Sequence, residues 1–402
     1  MKRRWASGLL LACLLYGADN SPAQREKPYV LLIGLDGFRF DYPERYGARN
    51  LEAFREQGSS SAALIPQYPS LTFPNFYSLA TGLLPEHHGI VANRFWDPSR
   101  GAGFDFHRNG GDGSWYDGVP IWEVAERRGM RTAAYFWPGT DAEIHHIRPT
   151  YYFAYDVKTG HEQRVKQALE WLHMPEAERP HLVILYFDDA DVAGHRHGPD
   201  SEEERAAVRK VDASLGDLFA GLKTVSPTVN VVIVSDHGML RVERAVDVSG
   251  DADFSEFHVE SDGPMLMLYS GDRELVERTY RTLHNKSKLY RVYRRAGTPR
   301  EWHYADNPRI GDLLLVANGP YVSTTRSGTP PLGMHGYDPQ AFPSMRGIFY
   351  ARGPRIRREL RLPPISNLDV FRLLTSLLGL KPPANLDGGD ELARKLYCAE
   401  CR

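Results

Sequence analysis

The sequence predicts an α/β fold in which a largely parallel central sheet is covered by helices on both faces and carries a small inserted α+β unit. Three observations predict it. Several short runs are apolar almost throughout, as in strands that are buried on both faces. These runs alternate with segments whose apolar residues recur at helical spacing, which is the order typical of a parallel sheet. Residues 240–330 break that alternation.

Four runs have the length and composition of buried strands. They are residues 29–37, 131–137, 181–189 and 229–238, and each is rich in β-branched or aromatic side chains. In a strand covered on both faces, successive side chains are all buried, so alternation with polar residues is not expected. We therefore place all four in the central sheet.

Helical segments lie between these strands. One follows Pro74, and the others cover residues 119–129, 161–174 and 202–224. The last begins with acidic residues, which are favourable at the positive N-terminal end of a helix. Strand and helix therefore alternate along the first part of the chain, as in βαβ units.

The later part of the chain sets the domain boundaries. Residues 240–330 mix short apolar runs with a charged amphipathic segment, and a strand and a helix typical of the central core follow them. We expect a single catalytic domain over residues 28–390, with 240–330 as an inserted α+β subdomain and 391–402 as a tail. Cys398 and Cys401 lie in that tail, where they either form a local disulfide or remain as free thiols.

The N-terminus has the pattern of an export signal. Residues 1–23 combine a basic start with an apolar run too short for a comfortable membrane span, and Ser21 and Ala23 are small residues suited to cleavage. We expect a signal peptide over 1–23 and a periplasmic or secreted protein without a transmembrane segment in its mature chain. Lipid attachment at Cys13 and an uncleaved anchor are the alternatives.

The overall charge restricts the class of ligand. The formal net charge is -2, which gives no basic footprint for a nucleic-acid polymer. We therefore expect a small-molecule substrate and a monomeric protein. An anionic substrate requires local positive charge, from metal ions or a few basic side chains.

Acids and histidines follow the predicted strands. In parallel sheets, ligands bind beyond the carboxyl ends of the strands. Asp and His without Cys suit zinc or a similar divalent ion, and the supply exceeds one tetrahedral site. Two metal ions are a recurring device for phosphoryl transfer. The candidates at the strand ends and in one late glycine-flanked loop are Asp36, Asp188, Asp189, Asp191, His195, His197, Asp236, His237 and His335.

Thr72 is the candidate nucleophile. It lies just before the helix start marked by Pro74, where free backbone N–H groups favour anions. A metal ion there would make the threonine alkoxide accessible. The alternative interpretation is that Thr72 is simply the N-cap of the helix.

Seven motifs occur in an order that resembles a known family. They are "GLDGFR", "PSLTFPNFYSLATGLLPEHHGIVAN", "WYDGVPIW", "WPGTD", "DADVAGHRHGP", "SDHGM" and "MHGYDP". Together they resemble the nucleotide pyrophosphatase/phosphodiesterase family of the alkaline phosphatase superfamily, over residues 28–380. One departure is the loop 107–115, where a lysine that some members use near the base is absent.

The resemblance implies a role for each site residue. It places Asp191, His195 and His335 at one zinc ion, and Asp36, Thr72, Asp236 and His237 at the other. It implies that Thr72 is the nucleophile, that Asn93 donates to a phosphate oxygen, and that Phe73 and Tyr155 sandwich a nucleotide base. Trp137 and Asp141 would line the nucleotide pocket. Asp188, Asp189, His197, His87 and His88 would not be ligands.

The function that follows is a two-zinc phosphodiesterase or pyrophosphatase acting on nucleotides. It would release nucleoside 5′-monophosphates through a phosphothreonine intermediate. The alternatives are a phospholipid or choline-phosphodiester hydrolase of the same family, a phosphomonoesterase, and an inactive binding protein. The complete ligand set argues against the last of these, and the absence of cysteine at the nucleophile position disfavours a sulfatase.

Overall fold

The computed structural model describes residues 28–325, 328–399 and 401, so the predicted signal peptide and Cys13 lie outside the described residues. Its centre is an eight-stranded sheet in which five of the seven neighbouring pairs are parallel and two are antiparallel. The expected largely parallel sheet is therefore confirmed. From one edge to the other, its strands are Arg361–Leu362, Ser59–Ser61, Phe349–Arg352, Asn230–Val234, Val30–Leu35, Leu182–Phe187, Thr132–Tyr135 and Tyr151–Phe153.

All four predicted strands are present, and Phe349–Arg352 is the strand that runs antiparallel to both neighbours. Every residue of Val30–Leu35 and of Leu182–Phe187 is buried. Because successive side chains point to opposite faces, both faces of the sheet must be covered there. The covering helices form two groups, one around Glu202–Leu222 and one around Asp369–Leu378.

Twelve α-helices lie within the described ranges. The predicted segments 119–129, 161–174 and 202–224 correspond to three of these helices, each of which is shorter than predicted. The twelve helices are Tyr42–Tyr46, Arg49–Gln57, Thr72–Thr81, Pro85–His88, Phe106–Asn109, Ile121–Glu126, His161–His173, Asp189–His197, Glu202–Leu222, Arg273–Leu283, Asp369–Leu378 and Glu391–Leu396.

Within residues 240–330, which we call the inserted unit, a second sheet is fully antiparallel. Its strands, in spatial order, are His258–Asp262, Met265–Tyr269, Leu313–Ala317 and Tyr290–Arg294. In Met265–Tyr269, alternate side chains pack on different cores: Met267 faces the main core, whereas Leu266 and Leu268 face a separate cluster inside the unit. The unit therefore has its own core and also packs against the main one.

Four two-stranded ribbons complete the β-structure of the described residues. They are Leu64–Ile65 with Ile365–Ser366, Arg94–Asp97 with Ala102–Asp105, Leu240–Arg241 with Gly333–Met334, and Arg244–Asp247 with Tyr321–Thr324. The Leu240–Arg241 ribbon brings the end of the inserted unit back to its beginning, and His335 follows directly.

The C-terminal segment is more structured than a tail. Residues Glu391–Leu396 form a helix, and Leu392 and Leu396 are buried in the main core, which explains why the segment does not run free. Cys398 and Cys401 form a disulfide, with Cα atoms 5.5 Å apart. In the part of the chain that the structure describes, no helix is long and apolar enough to cross a membrane.

Candidate active site

Three adjacent strands of the central sheet deliver the predicted ligands at their carboxyl ends. Asn230–Val234, Val30–Leu35 and Leu182–Phe187 are neighbours in the sheet and parallel to one another. Asp36 follows the middle strand directly, Asp236 and His237 follow one neighbour, and the helix carrying Asp191 follows the other. Residues far apart in sequence therefore meet at one edge of the sheet, where parallel α/β proteins bind ligands.

Asp36, Asp236, His237 and Thr72 form one half of this cluster. His237 Nε2 lies 3.0 Å from Asp236 Oδ2, 3.4 Å from Asp36 Oδ1 and 3.1 Å from Thr72 Oγ1. Asp36, Asp236 and His237 are buried, and Gly37 N–H donates to Asp236 Oδ1 at 3.3 Å. The predicted nucleophile thus lies within contact distance of a predicted ligand.

Asp191, His195 and His335 form the other half. His195 Nε2 lies 3.4 Å from Asp191 Oδ1, and His335 Nε2 lies 3.5 Å from the same oxygen. The two imidazole Nε2 atoms are 3.1 Å apart. Asp191 and His195 are four residues apart on the helix Asp189–His197, so they share one face, as the sequence predicted.

The two halves are contiguous. The rings of His237 and His335 stack with centroids 3.6 Å apart. Ligand atoms of Asp191, His237 and His335 all lie within 4.8 Å of one another, as do those of Asp36, Asp236 and His237. His237 therefore lies between the two groups, a position that the sequence did not indicate.

All three histidines present Nε2 to the cluster for the same reason. Nδ1 of His195 is 2.9 Å from the carbonyl oxygen of Gly333, and Nδ1 of His237 is 2.9 Å from that of Gly238. Nδ1 of His335 is 3.0 Å from the carbonyl oxygen of Ser70. A carbonyl can only accept, so Nδ1 carries a proton, and in the neutral imidazole Nε2 keeps a lone pair. Metal-binding histidines are oriented in this way.

Three carboxylate oxygens at the cluster have no hydrogen-bond partner although they are buried. They are Oδ1 of Asp36, Oδ1 of Asp191 and Oδ2 of Asp236. Buried polar atoms normally find a partner, and an ion is one of the recognised explanations when they do not. These orphaned oxygens, with the three imidazole lone pairs, form a donor set that fits divalent metal ions such as zinc.

The electrostatics of the cluster point the same way. Burial, and then the neighbouring carboxylates, raise the pKa of Asp36 and Asp236 well above the ordinary value. Burial also opposes ionisation of Asp191, but the histidines around it outweigh burial and hold its pKa well below the usual range. Asp191 in turn outweighs the effect of burial on His195 and raises that pKa to about 9. Crowded buried acids of this kind are stabilised by a cation.

Thr72 begins the helix rather than capping it. The helix covers Thr72–Thr81, and Leu71 occupies the N-cap position without a side-chain cap. The N-cap interpretation of Thr72 is therefore wrong, because Thr72 is the first residue of the helix. Pro74 is tolerated in the first turn, where a backbone N–H would have no intrahelical partner. The threonine hydroxyl is directed to His237 instead.

Asn93 is held beside that helix start. Its Oδ1 accepts the Phe73 N–H at 2.9 Å, which satisfies one of the free donors of the first turn. Because a backbone N–H can only donate, this contact assigns Oδ1 and leaves Nδ2 as the donor end of the amide. Asn93 lines the same cavity as Thr72, so that donor is available to a bound anion.

A cavity of about 500 Å³ opens onto the cluster. All the predicted substrate-binding residues line it: Asn93, Phe73, Tyr155, Trp137 and Asp141. Tyr155 is half exposed, whereas Trp137 is buried beneath the surface of the cavity. Burial raises the pKa of Asp141 above its ordinary value. The structure therefore brings together an apolar-walled space and the acid–histidine cluster.

The acids and histidines set aside as non-ligands have other partners. Asp189 contacts His161 and Lys210, and His87 contacts Asp387. The remaining two histidines differ in exposure. His197 is exposed, whereas His88 is buried and its Nε2 lies 3.0 Å from Ser78 Oγ. Asp188 lines the cavity and accepts the Tyr155 hydroxyl hydrogen bond.

Two groups at the site escaped the sequence analysis. The Tyr186 hydroxyl donates to Asp36 Oδ2, and Tyr186 lines the cavity. Its position within a buried strand resembles that of any core aromatic, so no local signal could have found it. Phe106, His107 and Arg108 also line the cavity, in and just before the loop where the lysine is missing.

Comparison with known proteins agrees with this geometry. The family model described as type I phosphodiesterase/nucleotide pyrophosphatase matches residues 30–338. The chain belongs to this family. The resemblance to the nucleotide pyrophosphatase/phosphodiesterases, within the alkaline phosphatase superfamily, is thus confirmed, and the family is one of hydrolases.

Members of the family from several organisms align over most of the chain. An uncharacterised pyrophosphatase/phosphodiesterase of Schizosaccharomyces pombe is 35% identical, covering 92% of this chain and 80% of its own. The bis(5′-adenosyl)-triphosphatase of Xenopus laevis is 33% identical, covering 94% and 83%. The chain spans 44% of the length of rat ectonucleotide pyrophosphatase/phosphodiesterase family member 1.

Solved structures of the family share the fold. Murine ectonucleotide pyrophosphatase/phosphodiesterase 5, in an inactive variant with a threonine replaced by alanine and in complex with AMP, superposes with a TM-score of 0.87. It is 30% identical and covers 92% of this chain and 100% of its own.

Proposed function

We propose that this protein is a two-zinc phosphodiesterase that hydrolyses nucleotide phosphodiester or phosphoanhydride bonds and releases nucleoside 5′-monophosphates. The observation that carries the proposal is the threonine hydroxyl 3.1 Å from His237 Nε2, at the floor of a cavity with an apolar wall. The murine relative crystallised with AMP is inactive when a threonine is replaced by alanine, which supports a threonine nucleophile here.

The proposed ligands are those indicated by the resemblance. Asp191, His195 and His335 would hold one zinc ion, and Asp36, Thr72, Asp236 and His237 the other. When bound, the ions would supply Lewis-acid stabilisation of the transferring phosphoryl group and favour the alkoxide of the threonine. The orphaned carboxylate oxygens and the outward Nε2 lone pairs support this assignment.

Thr72 carries the phosphoryl group in the proposed reaction. Its Oγ1 attacks the phosphorus in line, the bond to the leaving oxygen breaks, and a phosphothreonine forms. Water then attacks the same phosphorus and the Thr72 oxygen leaves, regenerating the hydroxyl and releasing the monophosphate. The position of Thr72 in the first turn of its helix favours the anionic group there.

Asn93 and the aromatic residues bind the rest of the substrate. Asn93 Nδ2 donates to a non-bridging phosphate oxygen, as an oxyanion-type donor does. Phe73 and Tyr155 hold the base between them, and Trp137 and Asp141 complete the nucleotide pocket. Next to Thr72, the apolar ring of Phe73 and the neutral donor of Asn93 suit a singly charged diester with a bulky arm better than a dianionic monoester; Arg108 also lines the cavity.

Export to the periplasm or the exterior completes the proposal. The leader pattern of residues 1–23 supports it, as do relatives whose names mark them as ecto-enzymes.

A substrate panel tests the function. Enzyme supplied with zinc would be compared on a nucleotide diester, a lysophospholipid and a simple phosphate monoester, with kcat/KM measured for each. We expect the nucleotide diester to be preferred. Preference for the monoester would overturn the assignment, and preference for the lysophospholipid would move the protein to the lipid-hydrolysing branch of the family.

A further inference from the structure

We propose that Asp262, a residue of the inserted unit, is a positioning residue that sets the phosphate-binding side chain of Asn93; the inference rests on the proposed function. It gives the inserted unit a part in the reaction, although none of the residues that the structure describes in this unit lines the cavity.

Asp262 ends the strand His258–Asp262 and is 5% exposed. Its Oδ2 accepts two backbone N–H groups, that of Asn93 at 2.8 Å and that of Arg94 at 3.2 Å. One carboxylate oxygen of the inserted unit thus holds two consecutive peptide groups of the catalytic domain.

The remaining hydrogen bonds of Asn93 complete its immobilisation. Its Oδ1 accepts from Phe73 N–H at 2.9 Å, and its carbonyl oxygen accepts from Phe106 N–H at 3.2 Å. Asn93 is therefore held from three separate segments, and Asp262 supplies the charged contact. Because Phe73 follows Thr72, any shift of the Asn93 backbone changes the position of Nδ2 relative to the proposed nucleophile.

A second contact shows that the inserted unit holds the whole segment. Trp96 N–H donates to the Tyr269 hydroxyl at 3.3 Å, and Tyr269 lies on the neighbouring strand of the small sheet. The unit therefore contacts the segment 93–96 at both ends. Replacing Asp262 would release the end that carries Asn93 and leave the other end in place.

A buried carboxylate at position 262 is energetically unfavourable if its only role is to fill space. Burial raises the pKa of Asp262 to about 6, which shows that the charged form is disfavoured in its surroundings. Two backbone donors could be satisfied by a neutral acceptor. A charge-assisted hydrogen bond is shorter and stronger, which suits a contact whose purpose is to hold a catalytic donor in place.

The expected fall in kcat follows from the transition-state stabilisation that is lost when a hydrogen-bond donor is displaced. Removal of an oxyanion donor costs about 100- to 1,000-fold in kcat, and a misplacement of about 1 Å costs on the order of 100-fold. Asp262→Ala should therefore lower kcat for a nucleotide diester by about 10- to 100-fold and leave KM within about threefold. Asp262→Asn keeps an acceptor oxygen but loses the charge, so its kcat should fall less than that of Asp262→Ala.

Glu260→Gln is the matched control. Glu260 lies on the same strand, contacts His258 at 2.6 Å and is partly exposed, and it makes no contact with Asn93. This variant should keep wild-type kcat. An equal loss in Glu260→Gln and Asp262→Ala would overturn the proposal, because the loss would then come from the strand as a whole and not from the contact with Asn93.

A double-mutant cycle separates positioning from general destabilisation. If Asp262 acts through Asn93, the double variant Asn93→Ala/Asp262→Ala should be about as slow as Asn93→Ala alone. Multiplication of the two losses would overturn the proposal, because Asp262 would then act independently of Asn93.

Hydrogen exchange of the amides of residues 93 and 94 tests the contact without any substrate. Exchange should be faster in Asp262→Ala than in the wild type and unchanged in Glu260→Gln. If the wild type hydrolysed no phosphodiester, the proposed function would fail, but this measurement would still decide the inference. Unchanged exchange in Asp262→Ala would overturn it.

Discussion

Replacement of Tyr155 by alanine tests whether the proposed base slot binds substrate. The Tyr155 ring is 50% exposed, and its edge contacts Phe136 with ring centroids 5.3 Å apart. Its hydroxyl donates a hydrogen bond to Asp188, which also accepts one from Arg164 Nη1 at 3.4 Å. The ring is therefore held by its hydroxyl end while part of its surface stays open to the cavity.

The magnitude follows from the ring that is lost. Stacking of a base on an aromatic side chain is worth about 1–3 kcal/mol, or roughly 10- to 100-fold at ~1.4 kcal/mol per decade. We expect Tyr155→Ala and Phe73→Ala each to lower kcat/KM for a nucleotide diester by that factor. Tyr155→Phe keeps the ring and loses only the contact with Asp188, so water can replace the hydroxyl and the loss should be about threefold.

The assay compares two diesters with the same leaving group. One is the p-nitrophenyl ester of thymidine 5′-monophosphate, and the other is methyl p-nitrophenyl phosphate, which has no base. Release of p-nitrophenol reports kcat/KM for both. The alanine variants should lose activity on the first substrate and hardly any on the second. Equal losses on both would refute the reasoning and reduce the two aromatic residues to supports of the core.

Three further predictions concern the metal ions, the nucleophile and a buried acid. Chelation should abolish activity and zinc should restore it, and His335→Ala should lose metal and rate together; full activity of protein shown by elemental analysis to be metal-free would contradict the two-zinc assignment. Thr72→Ala should lower kcat by several orders of magnitude with an unchanged melting temperature, whereas Thr72→Ser should keep measurable activity; near-normal turnover of Thr72→Ala would exclude Thr72 as the nucleophile. Burial raises the pKa of Glu204 from 4.5 to about 7. In that window the folded protein holds a proton that the unfolded chain has lost, so the free energy of unfolding should fall as pH rises from 5 to 8, by about 3 kcal/mol at most. Glu204→Gln should flatten this dependence in urea unfolding, and an unchanged slope would show that another group causes it.

The sequence alone was sufficient for the features that depend on local patterns. Buried strands such as 29–37 and 181–189 were recognisable because both faces of a parallel sheet must be apolar. The ligand candidates that follow them were recognisable because Asp and His without Cys are unusual at consecutive strand ends. The spacing of Asp191 and His195 predicted a shared helix face, and the helix Asp189–His197 confirms it.

Local patterns were misleading where neighbouring residues compete for the same position. The sequence left open whether Thr72 is only the N-cap of the helix marked by Pro74. The structure begins the helix at Thr72, and the Thr72 hydroxyl contacts His237. The sequence analysis described residues 391–402 only as a tail, and the structure adds that Leu392 and Leu396 pack into the main core.

The sequence by itself determined the α/β class, the family and the acids and histidines that we propose as metal ligands. Only the tertiary structure decided which groups surround them. It placed His237 between the two halves of the acid–histidine cluster, Tyr186 against Asp36, and Asp262 against Asn93. The physical reason is that strand and ligand patterns are local, whereas these contacts join residues from distant parts of the sequence and exist only after the sheet and the inserted unit have packed together.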